Sequence, residues 1–216
     1  MGWLISRIYD RFMEGAEEAG LRDWRRELLG RARGDVLELG AGTGGNLALY
    51  PGNLSRLVLS EPDRHMREIL HRRVGGRPGV EVLDAPAEAL PLPARSFDTV
   101  VATLVLCSVR DPPEVLSEIH RVLRPGGMFL FLEHVAAPPG TWARRAQGVL
   151  EPVWRRIAGN CHLTRETGPL LEAAGFELAP CTEDLLPGSA TLVSRSIRGV
   201  ARPPGTHASG IRPGSS

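Results

Sequence analysis

Lysine is absent from this 216-residue sequence: all 26 basic residues are arginine. They stand against 25 acidic residues for a net charge of +1, so no bulk field draws the protein to nucleic acid or anionic lipid. The arginines form no single cluster, and the missing lysine reads as a compositional bias rather than a functional signal. Long apolar runs are missing too. None approaches the roughly twenty residues of a membrane span, so a cytoplasmic protein with at most peripheral membrane contact is expected. Cysteine is scarce: Cys107, Cys161 and Cys181 are widely spaced, match no metal pattern and cannot all pair. They read as reduced thiols, with no metal. The start, Met1-Gly2-Trp3-Leu4-Ile5-Ser6, formally matches an N-myristoylation pattern. An amphipathic first helix is the preferred reading, and arginines interrupt the apolar stretch that a signal peptide would need.

What is present is organised around Val36-Leu37-Glu38-Leu39-Gly40-Ala41-Gly42-Thr43-Gly44-Gly45-Asn46. Val36, Leu37 and Leu39 supply a buried strand, four glycines break it, and Asn46 to Tyr50 reads as the start of a helix. Strand, glycine turn and helix make the first half of a nucleotide-binding βαβ unit. The glycines alone are ambiguous. Gly40-x-Gly42-x-x-Gly45 fits a dinucleotide fingerprint, and Gly40-x-Gly42-x-Gly44 fits enzymes of S-adenosylmethionine (SAM). Glu38 favours SAM, because a carboxylate beside a pyrophosphate is repelled whereas one beside a sulfonium and an ammonium is attracted.

The chain otherwise alternates strands and helices, and its length suits one α/β domain. Leu4, Ile8, Phe12, Leu21, Trp24 and Leu28 follow helical spacing before the first strand. Tyr9 and Asp10 are polar groups on a segment placed to close over a site. Strand two, Arg56 to Ser60, ends in Glu61-Pro62-Asp63. Glu61 follows Gly40 by 21 residues, where a Rossmann-type unit places the acid that accepts from two ribose hydroxyls. Met66, on the next helix, could lie against an adenine or in the core.

Val80 to Leu83 and Ser96 to Leu104 read as strands three and four, with Asp98 structural and Cys107 and Ser108 just past the carboxyl end. Pro113 to Leu123 is an amphipathic helix that stops at Arg124-Pro125-Gly126-Gly127. Met128 to Leu132 is strand five, and the open-sheet rule sets Glu133 and His134 beside the ligand crevice. Thr141 to Ile157 has one apolar face and arginines opposite, and packing of that face on the domain is expected, with a membrane surface as the alternative. A connector, Cys161-His162-Leu163-Thr164-Arg165, leads into a helix over Glu166 to Ala174. Phe176 to Pro180 and Ser196 to Ala201 read as the last two strands.

Assembled, these residues resemble the class I SAM-dependent methyltransferases of the methyltransferase type 11 group. The resemblance rests on Glu38 to Gly44, Glu61, Ala87-Glu88-Ala89-Leu90-Pro91 with Ser96-Phe97-Asp98, and Arg121 to Gly127. It implies a Rossmann-like, doubly wound sheet of seven strands, mostly parallel with the last antiparallel and helices on both faces. The implied organisation is a helical cap over residues 1–34, a SAM-binding domain over 35–202 and a disordered tail over 203–216. SAM would be bound by Glu38, Gly40, Ala41, Gly42, Gly44, Asn46, Glu61, Pro62, Met66, Ala87, Glu88 and Thr103, and released as S-adenosylhomocysteine. Pro86 stands where many relatives carry an acid for the adenine amino group, a contact left here to main-chain groups near Ala87 and to Asp84.

Thr103 to Val109, Glu133 to Ala136 and Cys161 to Thr167 are similar to the branch that methylates small thiols. A small-molecule acceptor is implied, with a thiol favoured and a quinone or other lipid-like ring methylated on carbon or oxygen as the alternative. A non-catalytic SAM-binding protein is the competing class. Tyr9, Cys107, His162 and Arg165 are the expected acceptor pocket. His134 is either the base that helps deprotonate the acceptor or a partner of a neighbouring loop. Nucleic acid is not an expected substrate: no basic stripe is present, and no Asn/Asp-Pro-Pro-Tyr/Phe motif follows strand four.

Overall fold

The structure, a computed structural model, describes residues 15–186, 189 and 192–204. Tyr9, Asp10 and the Gly2 acceptor pattern lie outside the described residues. So does the tail beyond Pro204.

Hydrogen bonding orders the sheet β3-β2-β1-β4-β5-β8-β6. The strands are β1 (Asp35–Leu39), β2 (Arg56–Ser60), β3 (Val80–Leu83), β4 (Phe97–Thr103), β5 (Leu123–His134), β6 (Glu177–Leu178), β7 (Thr182–Leu185) and β8 (Arg195–Arg202). The first five run parallel, with Leu37 opposite Val58 on one side and Val100 on the other. β8 is antiparallel to β5, pairing Leu130 with Val200. β6 and β7 both pair with β8, one after the other along its edge. β6 lies within the expected sixth strand, Phe176 to Pro180, whereas β7 is an eighth strand beyond the seven expected; residues 179–181 part them, where Pro180 has no N–H to give to a ladder.

Successive side chains of a strand face opposite sides, and both sides are covered. Leu37, Val100, Phe129 and Phe131 pack against α3 (Pro112–Val122) and α5 (Thr167–Ala173) through Leu116, Ile119 and Leu171. Val36, Leu59, Val101 and Leu130 pack against α1 (Arg22–Leu29) and α2 (Arg64–Val74) through Leu28, Leu29 and Leu70. The chain leaves β1 toward β2 and β3, then returns to its other side for β4 and β5. That reversal opens a crevice at the carboxyl ends of β1 and β4.

Two local expectations are corrected. Residues 46–50 are not a helix but a run of turns, with Leu47 N–H on the Gly44 carbonyl and Leu49 N–H on that of Asn46. Glycines before and Pro51-Gly52 after leave too few residues to repay helix nucleation. On α4 (Trp142–Ile157) the apolar face points outward: Trp142, Val149, Val153 and Ile157 are 58–78% exposed. The buried side is polar, because Gln147 there accepts from the Ala137 amide and donates to the Leu192 carbonyl, both at 2.8 Å. Among the described residues no helix is long and apolar enough to cross a membrane.

Candidate active site

β1 delivers its glycine turn to the crevice with positive φ at Gly40 (57°) and Gly42 (58°). A Cβ on Gly40 would meet Val105 Cγ2 at 2.8 Å, so this glycine lets the turn pass under the loop after β4. A Cβ on Gly42 would meet nothing within 4 Å, so the space above it is open. The Gly42 amide donates to Glu61 Oε2 and the Asp63 amide to Glu61 Oε1, each at 2.8 Å. These bonds tie the turn to the end of β2. Glu61 is buried, and burial raises its carboxyl pKa against the pull of those two amides. Arg67 of α2 holds the same corner, donating to the Glu61 and Pro62 carbonyls and pairing with Asp84 at 2.6 Å. Met66 is buried in the first turn of α2, which Asp63 caps.

Beneath the turn lies a polar cluster built on Asn46, which is 1% exposed. Asn46 Nδ2 donates to Glu38 Oε1 at 2.9 Å and to Thr103 Oγ1 at 3.0 Å. The Tyr50 hydroxyl donates to Glu38 Oε2 at 2.7 Å. Arg25 of α1 donates to Asn46 Oδ1 at 3.0 Å and pairs with Glu17 at 3.2 Å. Burial raises the Glu38 pKa, while Tyr50 and Asn46 oppose the rise. Glu38, Asn46 and Thr103, expected from the sequence as SAM-binding residues, meet one another in this cluster. The sequence reading missed Arg25 and Tyr50, whose side chains looked like parts of ordinary helices.

On the other side of the crevice, Glu133 is fully buried, and its carboxylate accepts from three successive amides. Oε1 takes Val105 and Leu106 at 3.0 and 2.9 Å, and Oε2 takes Cys107 at 3.1 Å. Burial lifts its pKa to about 7 in spite of them. Glu133 thereby shapes the loop that follows Leu104, itself at φ 59°. Ala87 is buried, and Glu88 accepts from the Arg110 amide at 3.0 Å, fixing the far end of that loop.

His134, 4% exposed, has Nε2 3.4 Å from the Leu192 carbonyl and a buried Nδ1 without a hydrogen-bond partner. The Cys161 thiol lies against the His134 ring, the Cys107 thiol and the Trp154 indole. The connector is held in turn. His162 donates its amide to the Cys107 carbonyl at 2.8 Å, and Arg165 donates to the Leu106 and Val109 carbonyls at 2.6 and 2.9 Å. Cys107, His162 and Arg165 are thus brought together with His134, while Tyr9 lies outside the described residues. Trp154 was not expected here, since only the tertiary fold brings the end of α4 to β5. An open cleft of about 420 Å³ runs outside the connector, lined by Pro112, Pro113, His162, Arg165, Pro169 and Leu170. It touches neither the glycine turn nor Glu61, and the chemistry at the strand ends marks the candidate site better than this surface cleft does.

A family model described as a methyltransferase domain matches residues 37–131, from the glycine strand to the middle of β5. The human thiol S-methyltransferase TMT1B is 42% identical over 164 residues, which cover 70% of this chain and 67% of that protein. The chain belongs to the SAM-dependent methyltransferases. The methyltransferase is also similar to the demethylmenaquinone methyltransferase of Clavibacter sepedonicus, 32% identical over 145 residues, covering 65% of this chain and 59% of that one. A solved SAM-dependent methyltransferase of Thermotoga maritima superposes with a TM-score of 0.65 at 23% identity, over 92% of this chain and 98% of that chain. At that identity the match speaks for a shared fold. The methyl donor of this methyltransferase is SAM, and the site suits it: open space over Gly42, a carboxylate at the end of β2, and the buried Glu38 beneath the turn.

Proposed function

We propose that this methyltransferase transfers the methyl group of SAM to the sulfur of a small thiol. The observation that carries the reading is the 42% identity to a thiol S-methyltransferase, against 32% to a demethylmenaquinone methyltransferase. The side chains around the acceptor side agree with it. A thiol with a pKa near ~8.5 needs only modest help to become the thiolate, whereas an alcohol needs a strong base. His134 and His162 are the candidate bases, and the His134 ring lies between the Leu192 carbonyl and the Cys161 thiol.

SAM supplies a methyl already bound to a good leaving group, so the protein's work is binding, alignment and exclusion of water. In this reading the Gly40, Ala41, Gly42 and Gly44 backbone lines the donor. Glu61, with lone pairs left beyond its two amide bonds, accepts from the ribose hydroxyls. Pro62 and Met66 border the ribose and adenine, and Ala87 and Glu88 lie on the adenine side. Asn46 and Thr103 position Glu38, whose buried negative charge favours the donor's sulfonium and ammonium. His134 takes the acceptor's proton, and Cys107, His162 and Arg165 line its pocket.

The test is a panel of small aliphatic and aromatic thiols against quinols and catechols, with methyl-labelled SAM and purified protein. Labelled thioether from thiols alone is the expected result. Label on a ring carbon or oxygen transfers the assignment to lipid-like rings, and no labelled product from any acceptor would leave a SAM-binding protein without catalysis.

A further inference from the structure

Three thiols are present, and two of them meet. Cys107 follows β4 and Cys161 follows α4, yet the His162 amide donates to the Cys107 carbonyl at 2.8 Å, which sets the two cysteines side by side. Cys107 is 2% exposed, while Cys161 is only partly buried and is the more accessible of the two. Every element packed around Cys161 brings a polar or charged group: His134 from β5, the Trp154 indole from α4, and Arg165 from the connector, with Glu133 as the opposing negative charge. Two of the nitrogens there, His134 Nδ1 and Trp154 Nε1, are buried without a hydrogen-bond partner. Such orphaned groups are costly to bury, and an anion between them would relieve the cost. Methyl transfer to an external thiol uses neither cysteine chemically.

We propose that Cys161 and Cys107 form a thiol–disulfide exchange site that takes low-molecular-weight disulfides. The Cys161 thiolate attacks one sulfur of the disulfide R–S–S–R. A Cys161–S–S–R bond forms, the S–S bond of the reagent breaks, and R–S⁻ leaves with the electron pair. Cys107 then attacks the Cys161 sulfur, passing its proton to the second departing R–S⁻. The balance is one disulfide reduced to two thiols and two cysteines oxidised to a Cys107–Cys161 bridge. The bridge would link the loop after β4 to the connector, which already share the bond from the His162 amide to the Cys107 carbonyl. The surroundings of Cys161 hold its thiol pKa below the usual cysteine range, with contact to Cys107 and His134 outweighing burial, which favours the attacking thiolate. Burial does the reverse for Cys181, which serves as an internal reference.

The experiment treats the folded, full-length protein at about pH 6 with 4,4′-dithiodipyridine, following thiopyridone release and intact mass. Two equivalents should be released in the fast phase, with loss of two hydrogens and no probe retained. Peptide mapping should find Cys107 joined to Cys161 and Cys181 unmodified. Cys107→Ser should stop after one equivalent with one probe half on Cys161, and Cys161→Ser should lose the fast phase. First reaction at Cys181, or a Cys161 that reacts only after unfolding, would overturn the proposal. The wild-type map decides the matter even if a variant does not fold.

Discussion

The Gly42 amide donates to the Glu61 carboxylate at 2.8 Å, joining the turn after β1 to the end of β2. Glu61→Ala should weaken S-adenosylhomocysteine binding by about 1–3 kcal/mol, since it removes a charge-assisted acceptor for the ribose hydroxyls. Titration calorimetry showing unchanged affinity would remove Glu61 from the ribose site.

Gly40 and Gly42 share a left-handed φ but differ in what surrounds them, so their variants should fail differently. Gly40→Ala meets Val105 and should lower the unfolding temperature as well as binding. Gly42→Ala carries only the conformational cost, roughly 1–2 kcal/mol, because its Cβ enters open space. Gly42→Val should leave folded protein that no longer binds S-adenosylhomocysteine. Thermal melts with and without ligand separate the two positions, and normal binding by the valine variant would place the donor elsewhere.

Asn46→Leu removes both bonds from Asn46 Nδ2 and leaves Glu38 with Tyr50 as its side-chain donor. Oε1 of the buried carboxylate then lacks a donor, a loss on the order of 1–3 kcal/mol in urea unfolding. Asn46→Leu combined with Glu38→Leu should recover part of the stability without restoring ligand affinity. Recovery of both would mean the cluster serves packing alone.

Glu133 gives a pH dependence with a definite sign. Its pKa is about 7 in the folded protein against 4.5 for an ordinary glutamate, so the native state binds the extra proton. Its contribution is fully present below about pH 4.5 and is lost as pH rises through about 7, a change on the order of 3 kcal/mol. Glu133→Gln should flatten that portion of the stability profile. It should also cost stability at every pH, because its amide group cannot accept from the Cys107 N–H. Parallel profiles for the two proteins across this range would show that Glu133 does not titrate there.

His134→Ala should reduce methyl transfer roughly 10²–10⁴-fold with S-adenosylhomocysteine affinity intact. For a thiol acceptor, alkaline pH should restore part of the rate, because the thiolate then forms unaided. Identical pH–rate profiles in both proteins would leave His134 as the partner of the Leu192 carbonyl.

The sequence by itself determined the succession of strands along the chain up to β5, the glycine turn and the acid at the end of β2. These are local features: glycine where φ is positive, apolar runs where a strand is covered on both faces, proline and glycine where elements stop. The tertiary structure decided what depends on distant partners. Helical spacing could not show that α4 turns its apolar stripe outward, because Gln147 is held inward by two backbone groups from separate loops. A five-residue segment between glycines and Pro51 could not say that Asn46 would serve a buried carboxylate instead of a helix. Glu133, an acid at a strand end in the sequence, became a three-amide acceptor only when β5 was laid beside the loop after β4. The meeting of Cys107 with Cys161, fifty-four positions apart, follows from the same packing. Contacts of this kind carry no periodicity and no motif, since each partner is chosen by where another part of the chain passes.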